Sequence, residues 1–409
     1  MAEWRKEAKH QDLADAIARS ETRAGAGSFN GLAFNENLIL LDGMLALNDS
    51  IPQIDRRRLI TEGIDAASRA QALTAAGLLR HISGREAEYL RQPLRKFHLL
   101  TAVSIAGAAS IPRYRLRGAS ISFGGRTGGT AQKARSRLVR DARHSIVADP
   151  PTTYMPVVAT IEARTPSEAG TRALDAVDLV RSLWNLALNR RKHWRRSFAR
   201  GAPVNEVFLA PIHSVHEPGG ALASDSWWFD PAYIGPAPLL SDQAKVSSML
   251  AFTAKARRYR AKLRYAAAWE GAALRYGRAL DSHDLSDAFL RLWGVLETLT
   301  ESTSAPAAVT IKRSAFLFSD RDRANMVLSH LAGFRNRFVH FGAESDEIEG
   351  LLFLLKRYVE AMLIFHLEFP HRFTSVGEAC EFLDLPSTKQ AIAKRLRLLK
   401  LASKFVVAR

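Results

Sequence analysis

RDRANMVLSHLAGFRNRFVHF, running from Arg321 to Phe341, is the stretch whose reading decides both the fold and the function of this chain. Val327, Leu331, Phe334, Phe338 and Phe341 recur in steps of four and three, which at about 100° per residue places them on one stripe of an α-helix. That stripe is expected to face a core. Asn336 then falls about 180° from the stripe and His340 about 220°, so the two stand one turn apart on the outward face. Asn325, Ser329, Ala332 and Gly333 share that face and are small or polar, which leaves room for a second helix or a nucleic-acid backbone. Arg335 leaves the helix at roughly 80°, on a stem long enough to swing its guanidinium towards the His340 imidazole. Gly342 occupies the favoured position just past the helix end.

Working outward, Asp284 to Glu301 reads as a helix with Leu285, Phe289, Leu292, Leu296 and Leu299 on one stripe. Asp346 to Leu367 reads as another, apolar through Ile348, Leu351, Leu355, Val359, Met362 and Phe365. Ser241 to Leu280 reads as one very long helix. Four helices with short joins predict an all-α bundle over residues 239–370, followed by a helical extension over 371–409 with helices at Ser375 to Leu383 and Ser387 to Lys404. The Pro/Gly-rich stretch Pro231 to Pro238 is the expected domain boundary. Residues 1–238 then form an α+β domain. Its first 90 residues look helical, and strands are expected within Phe97 to Ala106, Tyr114 to Phe123, Pro156 to Ala163, Val207 to Ile212 and Ser226 to Phe229. Thr165-Pro166-Ser167-Glu168 supplies a capping Thr, a Pro at the first helical position and a Glu three residues after the cap, so a helix starts there and runs to about Asn189.

At 409 residues the chain exceeds the usual limit of one core. No apolar run is long enough to span a bilayer, and the start of the chain has charges where a signal peptide has its apolar segment, so no membrane partner and a cytoplasmic location are expected. A single cysteine excludes an internal disulfide and a multi-cysteine zinc site, and Cys380 is a poor nucleophile beside Glu378 and Glu381. Gly124 to Thr130 lacks the Lys of a phosphate-binding loop and reads as a turn between strands. His213 and His216 read as a polar turn, with no further metal ligand near them. No metal and no cofactor are therefore expected. The net charge of +17 is clustered, which suits a polyanion. Arg190, Arg191, Lys192, Arg195 and Arg196 surround Trp194, Lys255, Arg257 and Arg258 sit beside Tyr259, and a third block follows in Lys394, Arg395, Arg397, Lys400 and Lys404. The first two blocks, with Arg337, are the expected RNA-binding residues.

Arg335-Asn336-Arg337-Phe338-Val339-His340 resembles the Arg, polar residue, three residues, His signature of the HEPN superfamily of nucleotide-binding helical bundles, and the resemblance is nearest the Apea-like branch found in bacterial defence proteins. It covers about Ser241 to Pro370. The bare Arg-x4-His spacing also occurs from Arg5 to His10 and from Arg278 to His283, but only the third copy has Asn after Arg and sits late in an amphipathic helix. Glu297 resembles the acidic residue common on the second helix of such bundles. The resemblance implies a metal-independent endoribonuclease in the role of a toxin or antiphage effector, with catalytic residues Arg335, Asn336, His340 and Glu297, working as a homodimer through the bundle. RNA carries its own nucleophile in the 2′-hydroxyl, so cleavage needs a proton acceptor, a proton donor and a cation for the phosphate. An ordinary histidine takes either proton role near neutral pH. Arg335 would grip the phosphate in two-pronged fashion and Asn336 would orient the imidazole or the substrate. A two-fold dimer supplies the second histidine, and products end in a cyclic phosphate and a free 5′-hydroxyl. The first domain would sense a phage or protein trigger or select the RNA. Two other readings stand beside this one: a non-catalytic nucleic-acid-binding or scaffolding protein that keeps the bundle for dimerisation, and a small-molecule or nucleotide enzyme centred on the first domain, which predicts a deep polar pocket there.

Overall fold

The computed structural model describes residues 2–5, 10–21, 31–107, 110–125, 128–142, 151–194, 202–225, 228–230, 233, 235–341 and 347–405. It opens with β1 (Glu3–Trp4), α1 (His10–Ser20), α2 (Gly31–Met44), β2 (Leu45–Ala46), α3 (Gln53–Arg69) and α4 (Ala75–Arg91). These helices close on a core of their own, built from Leu13, Ile17, Leu41, Ile60, Ile64 and Ile82.

The sheet region follows as β3 (Arg95–Val103), β4 (Tyr114–Leu116), β5 (Ala119–Phe123), α5 (Gly129–Ala142), β6 (Met155–Ala163), α6 (Pro166–Asn189), β7 (Ile212–His216) and β8 (Trp228–Phe229). Six strands pair in the order β4-β5-β6-β3-β7-β8, every neighbouring pair antiparallel. Side chains alternate across the sheet, and Phe97, Leu99, Val103, Val157, Ala159 and Ile161 join α6 in one core. On the opposite face Arg135 of α5 donates to Leu100 O at 3.1 Å, Ser214 Oγ at 2.8 Å and Ile212 O at 2.7 Å. The run Tyr114 to Phe123 folds back on itself at Arg117 (φ 50) and Gly118 (φ 80), two successive left-handed residues that suit a tight hairpin.

The start of α6 follows the capping signal. Thr165 Oγ1 accepts from Glu168 N at 3.0 Å, and Pro166 stands in the first turn. Beyond it come α7 (Gln243–Arg260), α8 (Ala266–Ala279), α9 (Leu285–Leu299), α10 (Ala307–Ala315), α11 (Arg321–Phe341), α12 (Ile348–Glu368), α13 (Val376–Leu383) and α14 (Lys389–Ala402). The chain is thus α+β with a helical C-terminal region, and none of its described helices is long and apolar enough to cross a membrane.

Two of the expected elements differ in the structure, and one helix is unforeseen. The single helix from Ser241 to Leu280 is two helices, broken at 261–265 where Leu263 is buried and the Tyr265 hydroxyl shares a 2.9 Å hydrogen bond with His366 Nδ1. Both α7 and α8 lie against α6, which a straight rod of about 60 Å could not do. An unforeseen helix, α10, precedes α11 and packs on it. The expected strand Val207 to Ile212 is displaced: only Leu209 bridges to Val103, and the strand itself is Ile212–His216. The other expected strand keeps Trp228 and Phe229, while 226 and 227 lie outside the described residues, as does Gly342.

Residues 231–238 do not separate one core from another. One buried cluster runs from Phe97 to Leu383 on both sides of that stretch, and Leu240 exchanges hydrogen bonds with Ser104 O (2.9 Å) and Ala106 N (3.0 Å) at the end of the sheet. The core divides instead between the first four helices and everything after them. The shared element is α6, buried on the sheet side and on the helix side. Its approach to α8 is so close that a Cβ at Gly277 would stand 2.1 Å from Ser182 Oγ.

Candidate functional site

Helix α11 is held down by Ala324, Leu328, Leu331 and Phe334, all buried, with the Phe334 ring edge-on to Phe289 of α9 at 5.0 Å. Burying each of the larger side chains stabilises this seat by roughly 2 kcal/mol. The buried stripe is turned slightly from the expected one. Val327 is only half-buried, and Ala332, expected on the outward face, is 6% exposed. Phe338 packs partly against the core, and the Phe341 side chain lies outside what is described.

Asn336 and His340 are exposed, as are Arg337, Ser329 and His330. Gly333 belongs to the same ridge, where an added Cβ would meet nothing closer than Arg337 Nη1 at 3.5 Å. Arg335 lies at the edge of the ridge. Its Nη1 donates to Asn336 Oδ1 at 3.2 Å, and its Nη2 is 4.0 Å from Glu297 Oε1 on α9. Glu297 is in turn fixed by the Trp293 indole, which donates to Oε1 at 2.7 Å. Glu297 and Arg335 therefore approach each other across two helices, and a chain of contacts runs from Trp293 through Glu297 and Arg335 to Asn336. Long, half-exposed ion pairs of this kind contribute little to stability, so the geometry matters chiefly for where the guanidinium is held.

The basic blocks have different fates. Arg190 and Arg191, at the end of α6, and Lys255 of α7 border one shallow depression of about 510 Å³. Lys192 turns inward to Glu206 at 3.3 Å. Arg195 and Arg196 lie outside the described residues. Lys255 also pairs with Glu368 at 3.0 Å, whereas Arg257 is half-buried with its guanidinium 5.1 Å from the centre of the Tyr114 ring. Arg258 is exposed. The third block lies on α14 and just past its end; the helix has no buried residue and displays Leu396 and Leu399 beside its cations, with exposed Phe405 following it.

The largest cavity described, about 1100 Å³, lies between the sheet edge, α6, α8 and α9. Its charges are largely paired with one another. Arg181 donates to Asp178 Oδ1 (2.8 and 2.5 Å), to Asp281 (2.6 Å to each oxygen) and to Val207 O (3.1 Å), and Arg278 Nε donates to Asp178 Oδ2 at 2.6 Å. Arg181 and Arg278 hold the Asp178 carboxyl below its ordinary range, against the opposing effect of burial.

His213 opens onto this cavity, and its neighbourhood corrects the expected polar turn: His213 and His216 lie on a fully buried strand. His213 Nδ1 shares a 2.7 Å hydrogen bond with Thr101 Oγ1, and His216 Nε2 one of 2.9 Å with Ser214 Oγ. Burial, helped by the nearby Arg135 charge, pushes His213 down to about 3, and burial pushes His366 down to about 4. Among the described residues no three His, Cys, Asp or Glu side chains gather as a metal ion would need. Cys380 is pushed up to about 12, and the main cause is burial under the bundle, not its flanking glutamates.

Two of these histidines, His213 and His366, set a pH limit on the fold. The unfolded chain takes up protons on them near pH 6.5, while the folded chain refuses them until about 4 for His366 and about 3 for His213. Stability is thus full above pH 6.5 and falls as the pH drops towards 4, by on the order of 3 kcal/mol for His366 alone. Urea unfolding at pH 7 and pH 4.5 checks this, with His366→Gln expected to flatten the slope. Equal midpoints at the two pH values would contradict it.

The chain matches no protein-family model, no curated protein and no solved structure.

Proposed function

We propose that this protein is a metal-independent endoribonuclease of the HEPN type, with Arg335, Asn336, His340 and Glu297 at its active site. The observation that carries the reading is that Asn336 and His340 stand exposed on one ridge of α11, while Glu297 of α9 steers Arg335 to the edge of the same ridge. A phosphodiester laid along the ridge meets a guanidinium for its charge and an imidazole for its protons. The 2′-hydroxyl attacks the adjacent phosphorus, His340 removing its proton. The 5′-oxygen leaves with a proton from the second subunit's copy of the same histidine, so the products are a 2′,3′-cyclic phosphate and a 5′-hydroxyl.

The need for two imidazoles makes the active form a homodimer. Gly333, Ser329 and the exposed Met326 and Val339 form a low ridge suited to close pairing with a second α11 across a two-fold axis. A toxin or antiphage role, set off by a phage or protein trigger and confined to the cytoplasm, fits a self-contained RNA cutter of this kind. Purified protein should cleave single-stranded RNA in the presence of EDTA, and an oligonucleotide with 2′-deoxyribose at the cut site should survive. Cleavage of that deoxy substrate, or strict dependence on added metal, would rule out this chemistry.

One observation favours a second reading. The Tyr233 hydroxyl is buried on the wall of the 1100 Å³ cavity with no hydrogen-bond partner among the described residues, as a group awaiting a small molecule would be. In that case substitutions at His340 leave activity untouched and substitutions at Tyr233 do not.

A further inference from the structure

We propose that the groove between the end of α6 and the outer face of α12 takes one unstacked nucleotide of a single-stranded RNA, its base against Trp194 and its phosphate on Arg190 and Arg357. The inference rests on the RNA reading above and extends it to a site away from the α11 ridge.

The groove holds about 920 Å³, near the upper end for a small-ligand pocket and ample for a nucleotide. Its walls are Phe318, Phe353, Leu351 and Ile364. Trp194 stands at the mouth with its indole against α12, 3.6 Å from where a Cβ at Gly350 would be, an ordinary packing distance. Trp184, Trp269 and Trp293 are all buried at 2% exposure or less, whereas Trp194 is 51% exposed. A ring left half in water beside an apolar groove offers surface to a ligand, and base stacking on such aromatic rings is how single strands are held regardless of sequence.

The charges point the same way. At the floor, Lys356 donates to Asn189 O (2.7 Å) and Glu360 Oε1 (3.0 Å), so that pair is self-neutralised. Arg190 and Arg357, on the rim, make no ion pair within 4 Å among the described residues, although the Arg190 charge is near enough to favour the ionised form of Glu360; their guanidinium groups lie 5.8 Å from the Phe252 ring centre and 5.2 Å from that of Phe318. His193 and His330 add exposed imidazoles at the edge. An apolar slot with two guanidinium groups at its lip, neither held in a salt bridge among the described residues, suits a flat base carrying a phosphate. The larger cavity does not, because its acidic side chains outnumber its basic ones. A duplex does not fit either, since its base faces are covered by stacking. His330 and His340 share α11 and are separated by about 15 Å of helical rise, so a strand crossing the ridge can reach the groove.

The test uses the full chain carrying His340→Ala, so that binding is read without cleavage. It is titrated with a single-stranded RNA oligonucleotide, the matching blunt RNA duplex and AMP, following tryptophan emission and its quenching by acrylamide, to which Trp194 is far more open than the buried indoles. The single strand should shield Trp194. Adding Trp194→Ala should weaken its binding roughly ten-fold, the loss expected for one stacked base, while Trp194→Phe should keep most of the affinity and Arg357→Gln should lessen the salt dependence. Single-strand binding with no change in emission, equal affinity of the Trp194→Ala and parent proteins, or AMP binding as tightly as the oligonucleotide would overturn the proposal. Cleavage by the wild-type chain with Trp194 unaffected by RNA defeats the groove alone. Shielding of Trp194 with no cleavage defeats the nuclease reading and leaves the groove standing.

Discussion

His340→Ala is expected to slow RNA cleavage by about 10²- to 10⁴-fold, the usual contribution of a positioned proton-transfer group, with RNA affinity nearly unchanged. His340 is exposed on α11, remote from the buried stripe of Leu328, Leu331 and Phe334, so the substitution opens no cavity and the fold should survive it. Cleavage and binding have to be measured separately on the same preparation. Lost cleavage with intact binding supports the assignment of His340 to proton transfer. Unchanged cleavage rules it out and leaves a nucleic-acid-binding protein whose bundle serves only for association. If each subunit of the proposed dimer supplies one imidazole, mixing the His340→Ala variant with wild-type chain should also depress the wild-type rate, as mixed dimers would carry a single competent histidine.

The largest loss of stability is expected at Arg181. Its guanidinium, 2% exposed, ties Asp178 of α6 to Asp281 just past the end of α8 and also meets Val207 O. Replacing it with Met leaves two carboxylates in the interior without their main cation, and breaking a buried pair in this way costs about 3–5 kcal/mol. Urea unfolding measures the change. Adding Asp178→Asn and Asp281→Asn to Arg181→Met should recover some of the loss, because the stranded charges are what destabilise. A loss under about 1 kcal/mol in the single variant would mean that water already reaches the network from the adjoining cavity.

How far these features are legible without the fold differs from residue to residue. Thr165-Pro166-Ser167-Glu168 announces the start of α6, because a cap is a local hydrogen bond between Thr165 Oγ1 and Glu168 N and needs nothing beyond the next turn. The limits of α11 and the outward placement of Asn336 and His340 follow from helical periodicity in the same way. The break at 261–265 contains neither Gly nor Pro and is set by α6, against which both halves must lie. His213 and His216 look like loop residues, yet they sit on a buried strand whose polar atoms find Thr101 and Ser214, partners invisible from the local sequence. The side-chain pair Glu297–Arg335 could be guessed from the resemblance, but its 4.0 Å approach depends on Phe289 meeting Phe334.

By itself, then, the order of amino acids determined what short-range chemistry controls: the caps, the helical periods, the surplus of positive charge and the outward display of an amide and an imidazole on one ridge. Tertiary structure alone decided that the core runs unbroken past residues 231–238, that Arg181 lies fully enclosed between two carboxylates, and that Trp194 comes to rest beside Gly350. The reason is one of range. A cap or a helical stripe is complete within a few residues, whereas a shared core, a buried ion network and a groove exist only when segments a hundred or more residues apart exclude water together.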